Sequence, residues 1–169
     1  RHTPYENVHL IEDATTVDID GCALDMIPWI TADNQEEIFS FIRKSKSKYL
    51  FAHLELVGFE MHAGYSMKEG LSPKTFSHYD KVFTGHYHLS SEKGNILYTG
   101  VPYEQDWGDC GNQKGFWVFD TADGSYEFVP NPNKLFIRLD YDDSFDVASH
   151  DFDQYDSKFL KVMVKGRTD

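Results

Sequence analysis

The chain has 169 residues, of which 28 are Asp or Glu and 16 are Lys or Arg, for a formal net charge of −12. That length suits one compact domain, or one domain and part of a second, and buries roughly 70% of the unfolded surface. Hydrophobic residues at 40% and aromatics at 15% exclude a disordered chain; the acidic balance argues against a Lys/Arg-striped nucleic-acid binder, though not against an enzyme that meets phosphates through metal ions.

Val8 to Ile11 is a short β-prone run, and Thr15 to Ile27 reads as a β-hairpin whose turn is Asp20-Gly21. Pro28 ends that strand. Asp33 or Asn34 can cap a helix in which Ile38, Phe41 and Ile42 share a face, with Glu36 and Glu37 in the first turn and Arg43 and Lys44 near the last. Tyr49 to Ala52 is a buried strand that stops at His53. Gly58 to Pro73 reads as a loop or lid, and Lys74 to Tyr79 as a short helix. Lys81 to Thr84 is a second buried strand, stopping at Gly85-His86-Tyr87-His88. β-prone segments follow near Asn95 to Thr99, Gly115 to Phe119 and Tyr126 to Val129, the last two joined by Asp123-Gly124.

The order β-α-β-α-β followed by antiparallel strands predicts an α/β fold with a mixed sheet. Pro130-Asn131-Pro132-Asn133 reads as a linker. Beyond it come a strand over Leu135 to Leu139, an Asp140 to Asp156 segment with seven Asp, and a last β-prone run from Phe159 to Val164. Residues 134–169 are too few for an independent core and read as the opening of a second domain. Arg1 in place of Met reads as a chain entered in its middle. Cys22 and Cys110 form no C-x-x-C and no apolar run approaches the ~18 residues of a membrane span, so a reducing, cytoplasmic setting is the expectation.

The sharpest local chemistry is Thr84-Gly85-His86-Tyr87-His88 directly after a buried strand. Imidazoles at i and i+2 off a strand end can face one cavity, and Gly85 lets the backbone turn there. Neutral imidazole suits first-row metals. Alternating histidines on an exposed strand are the competing reading. His53, at the end of the earlier strand, shifts the balance, because parallel strand ends converge at the carboxyl edge where α/β folds bind ligands. A core histidine bonded to a carbonyl is the alternative for His53.

Ala52-His53-Leu54-Glu55-Leu56, Phe83 to His88, and Tyr98-Thr99-Gly100-Val101-Pro102 resemble the second half of a calcineurin-like metallophosphoesterase. Within that superfamily they are most similar to the SbcD-type nuclease subunits of recombination and repair nuclease–ATPase complexes. Thr15 to Cys22, Ile27-Pro28-Trp29 and Gly115 to Thr121 resemble the branch carried by T-even-type bacteriophages.

The resemblance implies a layered α-β-β-α sandwich, incomplete in this chain. Residues 1–132 would be the C-terminal half of the nuclease core, and 133–169 the beginning of a capping, DNA-recognition domain. It implies two divalent metal ions, usually Mn²⁺ in this family, with His53 and His86 on one and His88 on the other. A metal-held hydroxide would attack the DNA phosphodiester in line. The implied partners are DNA, an SMC-like ATPase subunit and, in the full-length protein, a second copy. The family's Asp-x-His, Gly-Asp and Gly-Asn-His motifs are absent here, the last carrying the general-acid histidine. Gly108-Asp109 reads as a chance dipeptide, and the chain alone as inactive.

Two other functions compete: a small-substrate metallophosphatase or phosphodiesterase, and a non-catalytic docking module. Weaker candidate residues are Glu55 as an orienting acceptor for His53, His62 and Tyr65 as substrate contacts, and Tyr103 and Trp107 as base-stacking rings. Tyr87 reads as packing, Cys110 as incidental, and the Asp-rich segment as a solvated loop without calcium-loop spacing.

Overall fold

The structure, a computed structural model, describes residues 5–62 and 64–166; the side chains of residues 61, 62 and 65 fall outside the described residues. The chain folds as mixed α/β. Strands β1 (Thr15–Ile19) and β2 (Cys22–Met26) pair antiparallel as predicted. Asp20 and Gly21 take φ of 53° and 84°, the paired left-handed conformation of a two-residue type I′ turn. Helix α1 (Gln35–Lys44) follows, with Ile38 and Ile42 buried and its charges placed to oppose the helix dipole. Asn34 occupies the N-cap position without a capping bond from its side chain. Its Oδ1 instead accepts from the Thr31 N–H at 2.7 Å and its Nδ2 donates to the Trp29 carbonyl at 2.9 Å, which sets the turn that carries Trp29.

Strand β3 (Tyr49–His53) leads to a small hairpin of β4 (Glu60–His62) and β5 (Tyr65–Ser66), then to β6 (Lys81–Gly85), β7 (Ser91–Lys93) and β8 (Ile96–Tyr98). Six strands form one sheet in the order β1-β2-β3-β6-β8-β7. The β2, β3, β6 and β8 strands are mutually parallel, so their carboxyl ends share one edge. Side-chain alternation sorts the two faces. Leu50, Val82 and Ile96 join Ile38 and Ile42 of α1 in the main core. Phe51 and Phe83 point the other way and meet the Phe119 ring at 5.8 and 5.1 Å. Phe119 ends β9 (Lys114–Phe119), which pairs antiparallel with β10 (Tyr126–Asn131).

The chain closes with β11 (Phe136–Tyr141) and β12 (Phe159–Val164), a two-stranded parallel pair. Parallel pairing demands a long crossover, and the Asp-rich stretch supplies it. Asp142, Asp146 and Asp151 each accept a backbone N–H two residues ahead, so these carboxylates shape local turns, as expected of a solvated loop.

Four expectations need correction. Val8 to Ile11 forms no strand; Val8 and Leu10 are exposed and bury no apolar face. Lys74 to Tyr79 is only a 3₁₀ turn over Pro73–Phe76, because Asp80 and Lys81 already donate to the Lys48 carbonyl and leave too few residues for α-helical turns. The Gly58 to Pro73 stretch is a built flap: Gly58 and Met67 exchange backbone bonds with Met67 and Phe59, and Phe59 is buried against the Tyr98 ring. Finally, Pro130 and Asn131 belong to β10, an edge strand where a missing N–H is tolerated. The segment after them is tied down too, since buried Glu104 accepts from the Leu135 and Phe136 N–H groups. Burial pushes the Glu104 carboxyl up, but N–H donors from Phe136, Leu135 and Gly111 outweigh it and hold it below its ordinary value.

Candidate metal centre

The β3–β6 register sets His53 directly beside Gly85. A Cβ on Gly85 would lie 2.8 Å from His53 Nδ1 and 3.3 Å from Cε1, so the imidazole rests on bare backbone. The positive φ at this strand end belongs to His86, at 107°, and Gly85 does not carry it. A non-glycine residue in that region is strained, and such strain persists where the surroundings over-determine it. Gly85 therefore provides room for a ring, and His86 makes the turn.

The outcome is that the His53 and His86 rings meet edge to face, with centroids 5.3 Å apart. Trp29, just past the end of β2, touches both, at 5.5 Å from His53 and 5.3 Å from His86. Its indole is 45% exposed and lines a cleft of about 310 Å³ with His53, Leu54, Glu55 and Gly70. Burial, and then the neighbouring His86, hold the His53 imidazole below its ordinary pKa, which favours the neutral, metal-binding form. Among the described residues neither ring bonds to a carbonyl or carboxylate, so the core-histidine reading of His53 has no support.

His86 and His88 both line a second cleft, of about 460 Å³, with Asp106 and Asp109. Between them Tyr87 turns inward as expected, buried, stacked on Tyr98 and donating to the Leu56 carbonyl at 3.2 Å. His88 Nδ1 stands 3.2 Å from Asp109 Oδ2. Asp109, read from sequence only as a chance match to the family's Gly-Asp motif, thus touches a candidate ligand. Its Oδ2 also accepts from the Gln105 N–H at 2.9 Å, and its Oδ1 from Lys114 Nζ at 2.7 Å. Burial pushes this carboxyl up, but the bonds from Lys114 and Gln105 and the charges of Lys114 and His88 hold it below the ordinary range. Trp29, Asp109 and Lys114 are the residues that sequence reading missed as site components. The signals for Trp29 were its place after a strand end, as for His53 and His86, and its place in the Ile27-Pro28-Trp29 segment that carries the resemblance.

The backbone beyond His53 is pinned from below. Thr84 Oγ1 accepts the Leu54 N–H at 2.9 Å; the Tyr98 hydroxyl donates to the Leu54 carbonyl at 2.9 Å and accepts from the Leu56 N–H at 3.0 Å. Tyr98→Phe would leave two buried backbone groups unpaired, and we expect a loss of about 2–4 kcal/mol of stability, read as a lower urea midpoint at unchanged slope. A loss under about 0.5 kcal/mol would show that this hydroxyl does not hold the segment.

With the geometry in view, comparison with known proteins adds one relation. The chain is 39% identical over 137 residues to exonuclease subunit 1 of Enterobacteria phage T4. That match covers 81% of this chain and 40% of the phage protein, so the chain spans well under half the length of its relative. No protein-family model matches the chain.

The remaining candidates sort by contact. Glu55 shares the cleft with His53, yet among the described residues no hydrogen bond joins the two. Trp107 packs edge-on against Phe136, with Lys161 Nζ over its ring, which is structural packing. Tyr103 is exposed, and Cys110 points its thiol at the Phe136 carbonyl. The side chains of His62 and Tyr65 lie outside the described residues. His88, Asp106 and Asp109 form the metal-compatible cluster among the described residues, and among those residues no helix is long and apolar enough to cross a membrane.

Proposed function

We propose that the chain is part of a metal-dependent DNA nuclease subunit of the SbcD-like, calcineurin-type metallophosphoesterase class. The observation that carries this reading is the meeting of His53 and His86 at the carboxyl edge of parallel strands, with His86 held at a φ of 107° to bring it there. The donor set fits the implied ions: two imidazoles without a protein hydrogen bond among the described residues, a third nearby, and a glycine cradle that leaves one ring room. On this reading His53 and His86 hold one divalent ion and His88 contributes to a second, with Mn²⁺ as the pair. When bound, such ions supply an acidified water and the positive charge that offsets a reacting phosphodiester.

The chain's own residues bind and orient. The Trp29 indole packs against both rings of the His53–His86 pair. Among the described residues no carboxylate joins that pair as a further ligand; the match covers 40% of the relative, and on this reading the bridging Asp and the general-acid histidine belong to a longer protein. Residues 1–132 then form half of the layered α-β-β-α core, and 133–169 open the DNA-recognition cap. The relative is named a subunit, which supports an assembly partner; the proposed partners are an SMC-like ATPase and a second copy, acting in the host cytoplasm. A metal-routed phosphate contact also accommodates the chain's net charge of −12.

The test is cleavage of linear duplex DNA by the natural full-length protein with Mn²⁺. His86→Ala should reduce the rate at least about 100-fold, as loss of one directed charge-stabilising contact does. Undiminished cleavage would sink the metal assignment. Turnover of a small phosphodiester with no DNA cleavage would favour the phosphatase reading instead.

A further inference from the structure

The Asp109–Lys114 pair has an arrangement that the metal reading alone does not require. We infer that Asp109 is a positioning residue that fixes His88 as its Nδ1–H tautomer, so that Nε2 carries the lone pair that faces the cleft. This rests on the reading of His88 as a metal ligand, and it names the device that prepares that ligand.

Three groups converge on one carboxylate. Lys114 Nζ donates to Oδ1 at 2.7 Å, and the Gln105 N–H donates to Oδ2 at 2.9 Å. His88 Nδ1 approaches the same Oδ2 at 3.2 Å. A carboxylate beside an ammonium is an acceptor only, so a hydrogen bond at that distance exists only when Nδ1 brings the proton. One imidazole nitrogen protonated leaves the other with its lone pair. Orienting a ligating histidine through its second ring nitrogen is how outer carboxylates tune metal sites.

Lys114 makes the device rigid. It is 1% exposed, and besides Asp109 it donates to the His88 carbonyl at 2.9 Å. One buried ammonium therefore holds both the carboxylate and the backbone of the residue which that carboxylate orients. It also decides between two roles for Asp109. A metal ion bound directly to Asp109 would sit against this fixed positive charge, and Oδ2 is already engaged by both Gln105 and His88. Asp106, the other acid of the cluster, is exposed and turned to the Gly108 N–H at 2.7 Å. Asp109 therefore acts through His88 rather than beside it.

Asp109→Asn separates these roles, because an amide has one acceptor end. The charge of Lys114 claims the oxygen, charge-assisted bonds being the stronger, at the cost of the neutral bond that the Gln105 N–H gave to Oδ2. The amide NH₂ then faces His88 Nδ1, which must become the acceptor, and the proton moves to Nε2. The experiment is long-range ¹H–¹⁵N correlation of the histidine rings in the natural full-length protein, free of metal, at mildly alkaline pH. It is combined with Mn²⁺ titration followed by paramagnetic broadening at each imidazole. The unsubstituted chain should show His88 protonated at Nδ1. Asp109→Asn should show it at Nε2, with apparent Mn²⁺ affinity at His88 lowered about 10- to 100-fold. Adding Lys114→Met frees the amide to rotate and should restore the Nδ1–H form.

An Nε2–H tautomer in the unsubstituted chain overturns the inference whether or not the variants fold. So does a tautomer switch in Asp109→Asn that leaves Mn²⁺ binding at His88 unchanged. An Nδ1–H tautomer with no Mn²⁺ response at His53, His86 or His88 in any chain would instead overturn the proposed metal site and leave the tautomer assignment standing.

Discussion

Gly85→Ala is expected to weaken Mn²⁺ binding at the His53–His86 pair by about tenfold or more while changing fold stability little. The added methyl would stand 2.8 Å from His53 Nδ1 and 3.3 Å from Cε1, closer than van der Waals contact permits. Both backbones are held by the β3–β6 register, so the imidazole is the part that can yield, and it must swing off the line that meets His86. The backbone itself raises no objection: Gly85 lies outside the left-handed region, and Ala there loses less entropy on folding than Gly does, by about 0.5–1 kcal/mol. Binding and stability should therefore separate. Paramagnetic broadening of the His53 and His86 ring signals measures the first and a urea midpoint the second. Equal Mn²⁺ affinity in the two chains would show that the rings do not act as a pair.

The second large effect is on the fold. Asp25, on β2, has a fully buried carboxylate. It accepts from Thr16 Oγ1 at 2.7 Å, Ser47 Oγ at 2.6 Å and the Tyr79 hydroxyl at 2.7 Å. It thereby ties β1 to the turn after α1 and to the segment before β6. Asp25→Ala strands these hydroxyls, and we expect a loss of about 3 kcal/mol, or roughly 6–12 °C in Tm. Asp25→Asn should cost less, since hydroxyls can turn to accept from an amide.

The same site makes stability depend on pH. Burial pushes the Asp25 carboxyl up, but hydroxyls from Ser45, Ser47, Tyr79 and Thr16 outweigh it and hold the pKa below the ordinary value of 3.8. A carboxyl whose pKa is lower folded than unfolded stabilises the fold at pH above the unfolded value, and that contribution fades as pH falls through it toward the folded one. Thermal denaturation should thus show a steeper loss below about pH 4 in the unsubstituted chain than in Asp25→Asn. Parallel curves for the two would remove Asp25 from the acid response.

Much of the layout could be read in one dimension because the signals are local. The Asp20-Gly21 turn, the i, i+3, i+4 apolar face of α1, and the apolar runs ending at His53 and before His86 each depend on neighbours a few residues away. The expectations that failed are those where a distant partner decides. Pro130 reads as a linker until it is seen on an edge strand, and Lys74 to Tyr79 as a helix until Lys48 claims the next backbone N–H groups.

The site divides along the same line. That His53, His86 and His88 are candidate ligands follows from sequence alone, since histidines after buried parallel strands must emerge at one edge. That His53 lies on Gly85, that Trp29 touches both rings, and that Asp109 and Lys114 take hold of His88 follow only from the tertiary structure. Strand register sets the first of these contacts. Separations of 24, 57 and 21 residues set contacts as close as 5.5, 5.3 and 3.2 Å (Trp29 to His53, Trp29 to His86, His88 to Asp109). A linear pattern cannot encode contacts at such range, because what places them is the packing of whole strands against one another.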